Sequence, residues 1–288
     1  MSFLPITFVV LWASAFISAK SIMQDATPFA ALLMRFGIVT FGFGVLYLIF
    51  FVARRQKTFL TKSQMGHAAI TGIFLHGFYL GGVFWALSHG LSSTLAALIA
   101  SLQPIIISLL AGPILGEQIS LRQWGGIIMG FSGAVIVIGW DSGTAVPGIA
   151  LIICVCALGA SVIGTFYQKR FGQDLPLVPA NICQAFAATA LHLLLLGLFE
   201  VPSITVTNAF IAGMAWQILA VSFGAYVMLL VLLQRGTANQ TSSLLFLVAP
   251  VAAVQAWLVL GEQITLSDII GLGLASCGVF IATRTKAS

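Results

Sequence analysis

Long apolar runs alternate with short polar breaks along the whole chain. Each run holds about 20 mostly apolar residues, the length that an α-helix needs to cross the hydrocarbon core of a bilayer. The runs are too long for β-barrel strands and lack their alternation. The pattern predicts ten membrane-spanning helices, near residues 3–20, 29–52, 66–88, 93–115, 122–140, 147–170, 177–199, 208–233, 239–260 and 266–284.

Composition supports an all-α polytopic membrane protein. The 288 residues are 60% hydrophobic and 7% charged, whereas a soluble domain carries about 25% charged residues. The longest break between runs, residues 53–65, is too short for a water-soluble domain. We therefore expect a multi-pass membrane protein, with the lipid bilayer as its surroundings.

Loop charges predict the orientation of the helices. If the N-terminus is cytoplasmic, ten Lys and Arg residues fall in cytoplasmic segments, while the outer segments hold Lys20, with Arg35 just inside the second run. Such an excess is the positive-inside signal. With an even number of crossings, both termini are cytoplasmic. The net charge of +5 is explained by topology, and we expect no nucleic-acid partner.

The chain contains an internal repeat. Residues 116–121 (GEQISL) and 261–266 (GEQITL) differ by one Ser/Thr change, and each pair of flanking apolar runs is similar, at an offset of about 145 residues. The repeat predicts two five-helix domains, residues 1–143 and 144–288. Because five is odd, the second copy enters the membrane from the opposite side. Inverted repeats of this kind are typical of alternating-access transporters.

Four motifs carry a family resemblance: residues 104–117 from proline to Gly-Glu, their second copy at 250–262, WASAF at 12–16 and MRF at 34–36. Through these motifs, the chain resembles the EamA type of the drug/metabolite transporter superfamily. Within that type it resembles the bacterial amino-acid exporters of the YddG type. The resemblance covers nearly the whole chain and implies ten helices in a five-plus-five inverted repeat, in the bacterial inner membrane.

Polar groups within apolar runs are expensive, so each requires an explanation. His76 and Tyr79 share a face of the third run, and Ser222 and Tyr226 take the matching place in the eighth. They either line a cavity or form packing and interfacial contacts. The predicted substrate-binding set is Trp12, Ser14, His76, Tyr79, Ser101, Tyr226 and Ser243.

Two prolines and two cations complete the predicted site. Pro104 and Pro250 interrupt the fourth and ninth runs, as paired hinges or simple kinks. Lys20 and Arg35 are predicted to line an outer vestibule. Arg35 lies roughly 9 Å into its helix, where it either extends outward to Asp25 or attracts a substrate carboxylate.

The expected function is secondary export of small zwitterions, in particular amino acids, including aromatic ones. No Asp or Glu lies mid-span, so coupling would use His76 or be absent, leaving facilitated diffusion or exchange. The sequence has no phosphate-binding P-loop and no metal-ligand spacing, so we predict neither metal nor cofactor. We expect a monomer, with a dimer as the alternative, because Gly126 and Gly130 would allow close helix contact within or between chains.

Two other functions are alternatives. An exporter of drugs or other metabolites would share the fold, although phosphorylated cargo needs more cations than Lys20 and Arg35, and lipophilic cations would prefer a mid-span carboxylate. An intramembrane serine protease would use Ser161 as nucleophile, with His76 or His192 as base. The short motif around Ser161 and the unexplained repeat disfavour an enzyme.

Overall fold

The structure is a computed structural model and describes residues 3–54, 59–107, 110, 120–139, 147–172, 174–225, 228 and 247–283. Over these residues the chain is almost entirely helical, and a helix accompanies each predicted apolar run. The helices are α1 (Leu4–Ile22), α2 (Pro28–Arg54), α3 (Lys62–Ser88), α4 (Ser93–Ile107), α5 (Leu121–Gly139), α6 (Gly148–Phe171), α7 (Leu177–Phe199), α8 (Asn208–Ala225), α9 (Val248–Leu260) and α10 (Leu266–Thr283).

Six of these helices, α1, α2, α3, α6, α7 and α8, are long and apolar enough to cross a membrane. The other four have apolar stretches of 10–17 described residues. The predicted runs 93–115 and 239–260 continue into residues outside the described ranges. The chain is a multi-pass membrane protein, while ten crossings, the cytoplasmic termini and the domain bounds stay predictions.

Short polar side chains begin several of the helices. Ser92 and Thr207 accept backbone N–H bonds from the first turns of α4 and α8. Thr61 and Gln64 form a reciprocal capping box at the start of α3. Because the first N–H groups of a helix have no partner within it, these side chains define where each helix starts.

The crossing of α5 and α10 shows how the two halves are related. A Cβ atom added to Gly133 would collide with the Gly271 carbonyl, and one added to Gly278 would approach the Gly126 carbonyl at 2.6 Å. The two contacts are equivalent, because the repeat offset of about 145 relates Gly133 to Gly278 and Gly126 to Gly271. From Gly126 to Gly133 along α5, the contacted glycine of α10 changes from Gly278 to Gly271, so the two helices run antiparallel. Equivalent helices crossing in this way are related by a two-fold axis in the membrane plane, as the inverted repeat predicted.

Other equivalent helices also pack together. α2 lies along α7, and α4 packs against α9. The first helix of each half packs on the third helix of the other, since α1 contacts α8 and α6 contacts α3. The glycines of α5 thus serve packing within the chain, and the centre of the bundle is built from both halves.

The loops predicted to lie outside meet at one end of the bundle. The Thr27 N–H donates to the Ser203 carbonyl at 2.9 Å, and the Thr205 N–H donates to the Asp25 carbonyl at 2.7 Å. The Asp25 carboxylate also accepts a bond from the Thr207 hydroxyl. The α1–α2 and α7–α8 loops are therefore joined across the two halves.

Candidate functional site

The equivalent helices α3 and α8 both depart from α-helical geometry within the membrane. α3 is π-helical over Ile73–Phe78, and α8 is π-helical over Trp216–Ala225. π-helical turns are rare and are frequently found at functional sites. His76 and Ser222, 146 positions apart, lie in the two π-helical segments. The departure from regular geometry thus falls at the polar residues for which the sequence left cavity lining and packing as alternatives.

Arg35 of α2 reaches the π-helical segment of α8. Its side chain is 5% exposed, and its Nε and Nη2 donate to Ser222 Oγ at 3.3 and 3.1 Å. The Ser222 hydroxyl in turn donates to the Gln217 carbonyl at 3.0 Å. In the described part of the chain, no carboxylate forms an ion pair with the guanidinium.

The placement of Arg35 decides one of its two alternatives. The side chain does not extend to Asp25, whose carboxylate is bonded to Thr207, while its place in an outer vestibule stays a prediction. The physical reason is the close packing of α2 on α7 and α8, which presents the Ser222 hydroxyl as a nearer acceptor. Arg35 is therefore a buried cation.

His192 of α7 makes the corresponding contact to α3. Its Nε2 lies 3.1 Å from the His76 carbonyl. Because a carbonyl only accepts, Nε2 carries the hydrogen. Nδ1 is buried and has no hydrogen-bond partner among the described residues, which suits the lone pair of a neutral ring. The Phe36 ring packs against both imidazoles, with centroids 5.3 Å from His76 and 5.8 Å from His192.

A glycine of α3 allows α7 to approach this closely. A Cβ added to Gly72 would overlap the backbone of Gln184. Gly81 faces the His192 ring, although a Cβ there would lie at 3.4 Å, an ordinary van der Waals contact. Gln184 is itself buried, at 4% exposure. The small residue at position 72 thus brings α7 close to the π-helical segment.

α8 also holds α1 through side-chain hydrogen bonds. The Trp216 indole donates to Ser14 Oγ at 2.7 Å, and the fully buried Gln217 donates to the Ala15 carbonyl at 2.7 Å. Trp12 is partly buried and packs against the core. The predicted residue Ser14 therefore lies beside the α8 π-helical segment, whereas the Trp12 ring packs on Phe8 of its own helix, with centroids 5.4 Å apart.

The remaining predicted ligands are placed differently. Tyr79 follows the α3 π-helical segment and packs against the core. Ser101 is buried, and its hydroxyl donates to the Leu98 carbonyl of its own helix at 2.7 Å. Tyr226 and Ser243 lie outside the described residues.

The structure describes the surroundings of one predicted hinge more fully than those of the other. α4 has a turn at Leu102, two residues before Pro104, and resumes over residues 103–107. Pro250 lies in α9, and Phe246, whose carbonyl it would leave without a donor, lies outside the described residues. A local break thus accompanies Pro104, while the role of Pro250 stays a prediction.

Lys20 and Glu262 tie helix ends together near the joined loops. Lys20 Nζ donates to the carbonyls of Leu87 and Leu91, both at 2.8 Å. The Glu262 carboxylate accepts from the Ser93 N–H at 2.8 Å. Lys20 therefore binds the C-terminal end of α3, and Glu262 caps α4 from the other half of the chain.

Glu200 makes a second cap across the halves. Its carboxylate accepts from the Phe29 N–H, at the start of α2, at 3.0 Å. Burial raises the pKa of the Glu200 carboxyl above its usual range, although this hydrogen bond acts in the opposite direction. Both caps place a carboxylate at the positive end of a helix dipole.

No nucleophile–base pair forms at Ser161 within the described residues. Ser161 is 1% exposed, and its Oγ has no hydrogen-bond partner there. His192 is instead bonded to the His76 carbonyl. The geometry at Ser161 gives no support to the protease alternative.

Sequence reasoning missed the link between Arg35 and Ser222 and the role of Gln217. An uncharged amide within an apolar run is itself a signal, because its burial in lipid requires partners. The π-helical segments have no comparable signal in the sequence, since they depend on packing between helices.

Comparison with known proteins gives a family. The EamA-like transporter family matches the chain twice, over residues 2–139 and 147–284. A solved crystal structure superposes with a TM-score of 0.67 at 21% identity, covering 98% of this chain and 96% of the other, which shows a shared fold.

Several curated proteins are similar over nearly their whole length. An uncharacterized transporter of Archaeoglobus fulgidus is 25% identical, covering 96% of each chain. An uncharacterized transporter of Bacillus subtilis, YoaV, is 24% identical over 97% of this chain and 95% of its own. A probable amino-acid metabolite efflux pump of Salmonella typhimurium is 24% identical over 97% and 93%. The chain therefore belongs to the EamA-like transporter family of the drug/metabolite transporter superfamily.

Proposed function

We propose that this transporter exports small zwitterionic metabolites, in particular amino acids, including aromatic ones, across the bacterial inner membrane by alternating access. The observation that carries the proposal is the pair of polar contacts at the π-helical segments. Arg35 bonds Ser222 and His192 bonds the His76 carbonyl, and both contacts join the two halves of the chain.

The arrangement of the halves supports alternating access. Two inverted copies can exchange conformations, so that a central site opens first to one side and then to the other. In this structure the α1–α2 and α7–α8 loops are joined at the predicted outer end. Export requires that this junction open and that the other end close.

The named relatives support the substrate class. Two similar proteins, of Salmonella typhimurium and Escherichia coli, are named probable amino-acid metabolite efflux pumps, at 24% and 23% identity. We extend that substrate class to this chain as a proposal. Trp12, Ser14 and Tyr79 would contribute to the cavity, together with Tyr226 and Ser243 outside the described residues.

The test is uptake of labelled amino acids into liposomes that contain the purified protein. Empty liposomes are the control, and the assay is run without an ion gradient and then with a proton gradient. Uptake above the control supports amino-acid transport, and its response to the gradient decides between coupled transport and facilitated diffusion. No uptake of any amino acid by folded protein would contradict the proposal and favour export of drugs or other metabolites.

A pair of tyrosine variants tests the location of the cavity. Tyr79→Ala should lower uptake severalfold, because its ring lies beside the α3 π-helical segment. Tyr167→Ala is the matched control, since Tyr167 bonds His67 at 2.8 Å near the start of α3. Equal rates in wild type and Tyr79→Ala would place the cavity elsewhere.

A further inference from the structure

We propose that the Arg35 guanidinium binds the carboxylate of the transported molecule at the crossing of α2 and α8. The inference rests on the proposed function and names the group that the site recognises. It assigns Arg35 to the central binding site, and it requires an anionic group on the substrate.

Burial and charge carry the first step. Arg35 is 5% exposed and sits among apolar helices, where an uncompensated charge is strongly unfavourable. Its described hydrogen bonds run from Nε and Nη2 to the single oxygen of Ser222. That hydroxyl is neutral and already donates to the Gln217 carbonyl, so it orients the guanidinium without neutralising it.

The acidic residues near the joined loops are committed elsewhere. Asp25 accepts from Thr207, Glu200 caps α2 at Phe29, and Glu262 caps α4 at Ser93. In the described part of the chain, the protein itself therefore supplies no counter-ion to Arg35. A carboxylate that arrives with the substrate would supply the missing charge and match the planar fork of the guanidinium.

The surroundings hold the guanidinium in place. Its Cζ lies 5.3 Å from the centroid of the Phe36 ring, and that ring packs on the imidazoles of His76 and His192. The hydrogen-bond pattern of His192 suits a neutral ring, which leaves Arg35 as the permanent charge of this group. A single positive charge suits one carboxylate better than a phosphate or a dicarboxylate.

The experiment compares ligands that differ only in the carboxylate. Thermal unfolding of the purified protein is followed with L-phenylalanine or L-leucine, and with phenethylamine or isoamylamine, which lack the carboxylate. The variants are Arg35→Gln and Arg35→Lys. Arg170→Gln is the control, because Arg170 is an exposed arginine at the end of α6.

We expect the amino acids, but not the amines, to raise the unfolding temperature of wild type and of Arg170→Gln. Arg35→Gln should lose this protection and should lower amino-acid uptake about tenfold or more, the factor of a lost charge-assisted hydrogen bond. Arg35→Gln without ligand should unfold no lower than wild type, because it removes a buried charge. Arg35→Lys should retain part of the protection.

Three outcomes would overturn the inference. Amines could protect wild type as well as amino acids do, or Arg35→Gln could keep full protection and uptake. Chloride could protect as strongly as the amino acids and be lost in Arg35→Gln, which would assign an inorganic anion. If Arg35→Gln does not fold, the comparison of acids with amines on wild type decides. Protection by carboxylates without amino-acid uptake would contradict the proposed function alone.

Discussion

The crossing of α5 with α10 and the polar crossing of α2, α3, α7 and α8 are both built from equivalent helices, yet they differ in chemistry. At the first, the contact of Gly133 with Gly271 is repeated by that of Gly278 with Gly126. At the second, α2 contacts α8 through a cation and a hydroxyl, whereas α7 contacts α3 through an imidazole and a backbone carbonyl. The repeat thus retains its symmetry in packing and loses it where polar groups meet.

The difference has a physical basis. Two backbones can approach closely only where both lack side chains, so each half is under the same constraint at the glycine crossing. A bound zwitterion has one carboxylate and one ammonium group, so a site that receives it has no need of two equal halves. Under the proposed function, the symmetric contacts would support the motion and the asymmetric ones would support recognition.

The largest expected effect is at the glycine crossing. Gly278→Ala and Gly133→Ala should each lower the free energy of unfolding by about 3 kcal/mol. This is the upper end of the usual cost of overpacking, because the new methyl group meets backbone atoms, which cannot move aside as a side chain can. Gly273→Ala, which has open space, is the control. Yield and size-exclusion profile in detergent measure the effect, and a large difference between Gly278→Ala and Gly133→Ala would disprove the symmetry.

Ser222→Ala tests the α8 side of the polar crossing. It should destabilise the protein by about 2 kcal/mol, because a buried charged donor loses its acceptor, and it should lower transport about tenfold. Ser88→Ala is the control, since the Ser88 hydroxyl bonds only the nearby Trp85 carbonyl and His89 among the described residues. Unchanged unfolding and uptake in Ser222→Ala would show that the hydroxyl does not hold Arg35.

His192→Phe tests the α3 side. The His192 ring stacks on Phe29 and Phe36, with centroids 6.2 and 5.8 Å away, and a Phe ring keeps these contacts. The His76 carbonyl loses its donor, which should cost about 1–2 kcal/mol. Transport should fall less than in Ser222→Ala, because no charge is affected. Leu193→Phe, on the exposed face of the same helix, is the control. A larger transport defect in His192→Phe than in Ser222→Ala would reverse the assignment of the two sides.

The smallest effect is expected at the cap of α4. Glu262→Gln keeps one acceptor oxygen for the Ser93 N–H. It loses the charge at the helix end and the second oxygen, which accepts from the N–H and hydroxyl of Thr94, so we expect a loss of about 1 kcal/mol. Gln263→Ala is the neighbouring control. The repeat predicts the same small loss for Glu117→Gln, whose position lies outside the described residues. Thermal unfolding of both variants compares the two glutamates. A loss of stability confined to Glu262→Gln would show that only the glutamate of the second half caps a helix of the other half.

Much of the architecture was accessible from the sequence. The apolar runs at 29–52 and 177–199 became α2 and α7, with bounds within a few residues, because roughly 20 apolar residues have few other stable states in lipid. The matching GEQISL and GEQITL segments predicted the inverted relation, and the antiparallel crossing of α5 and α10 agrees with it. The substrate-binding set stays a prediction, with Tyr226 and Ser243 outside the described residues.

Sequence by itself determined the membrane environment, the helices, the repeat and the family, since each depends on local hydrophobicity or on similarity along the chain. Only the tertiary structure decided that Arg35 is buried against Ser222, that His192 bonds the His76 carbonyl, and that α3 and α8 become π-helical at these points. These features depend on which helices pack together and at what distance. Contacts between side chains over 100 residues apart are set by that packing, and hydropathy along one chain does not specify it.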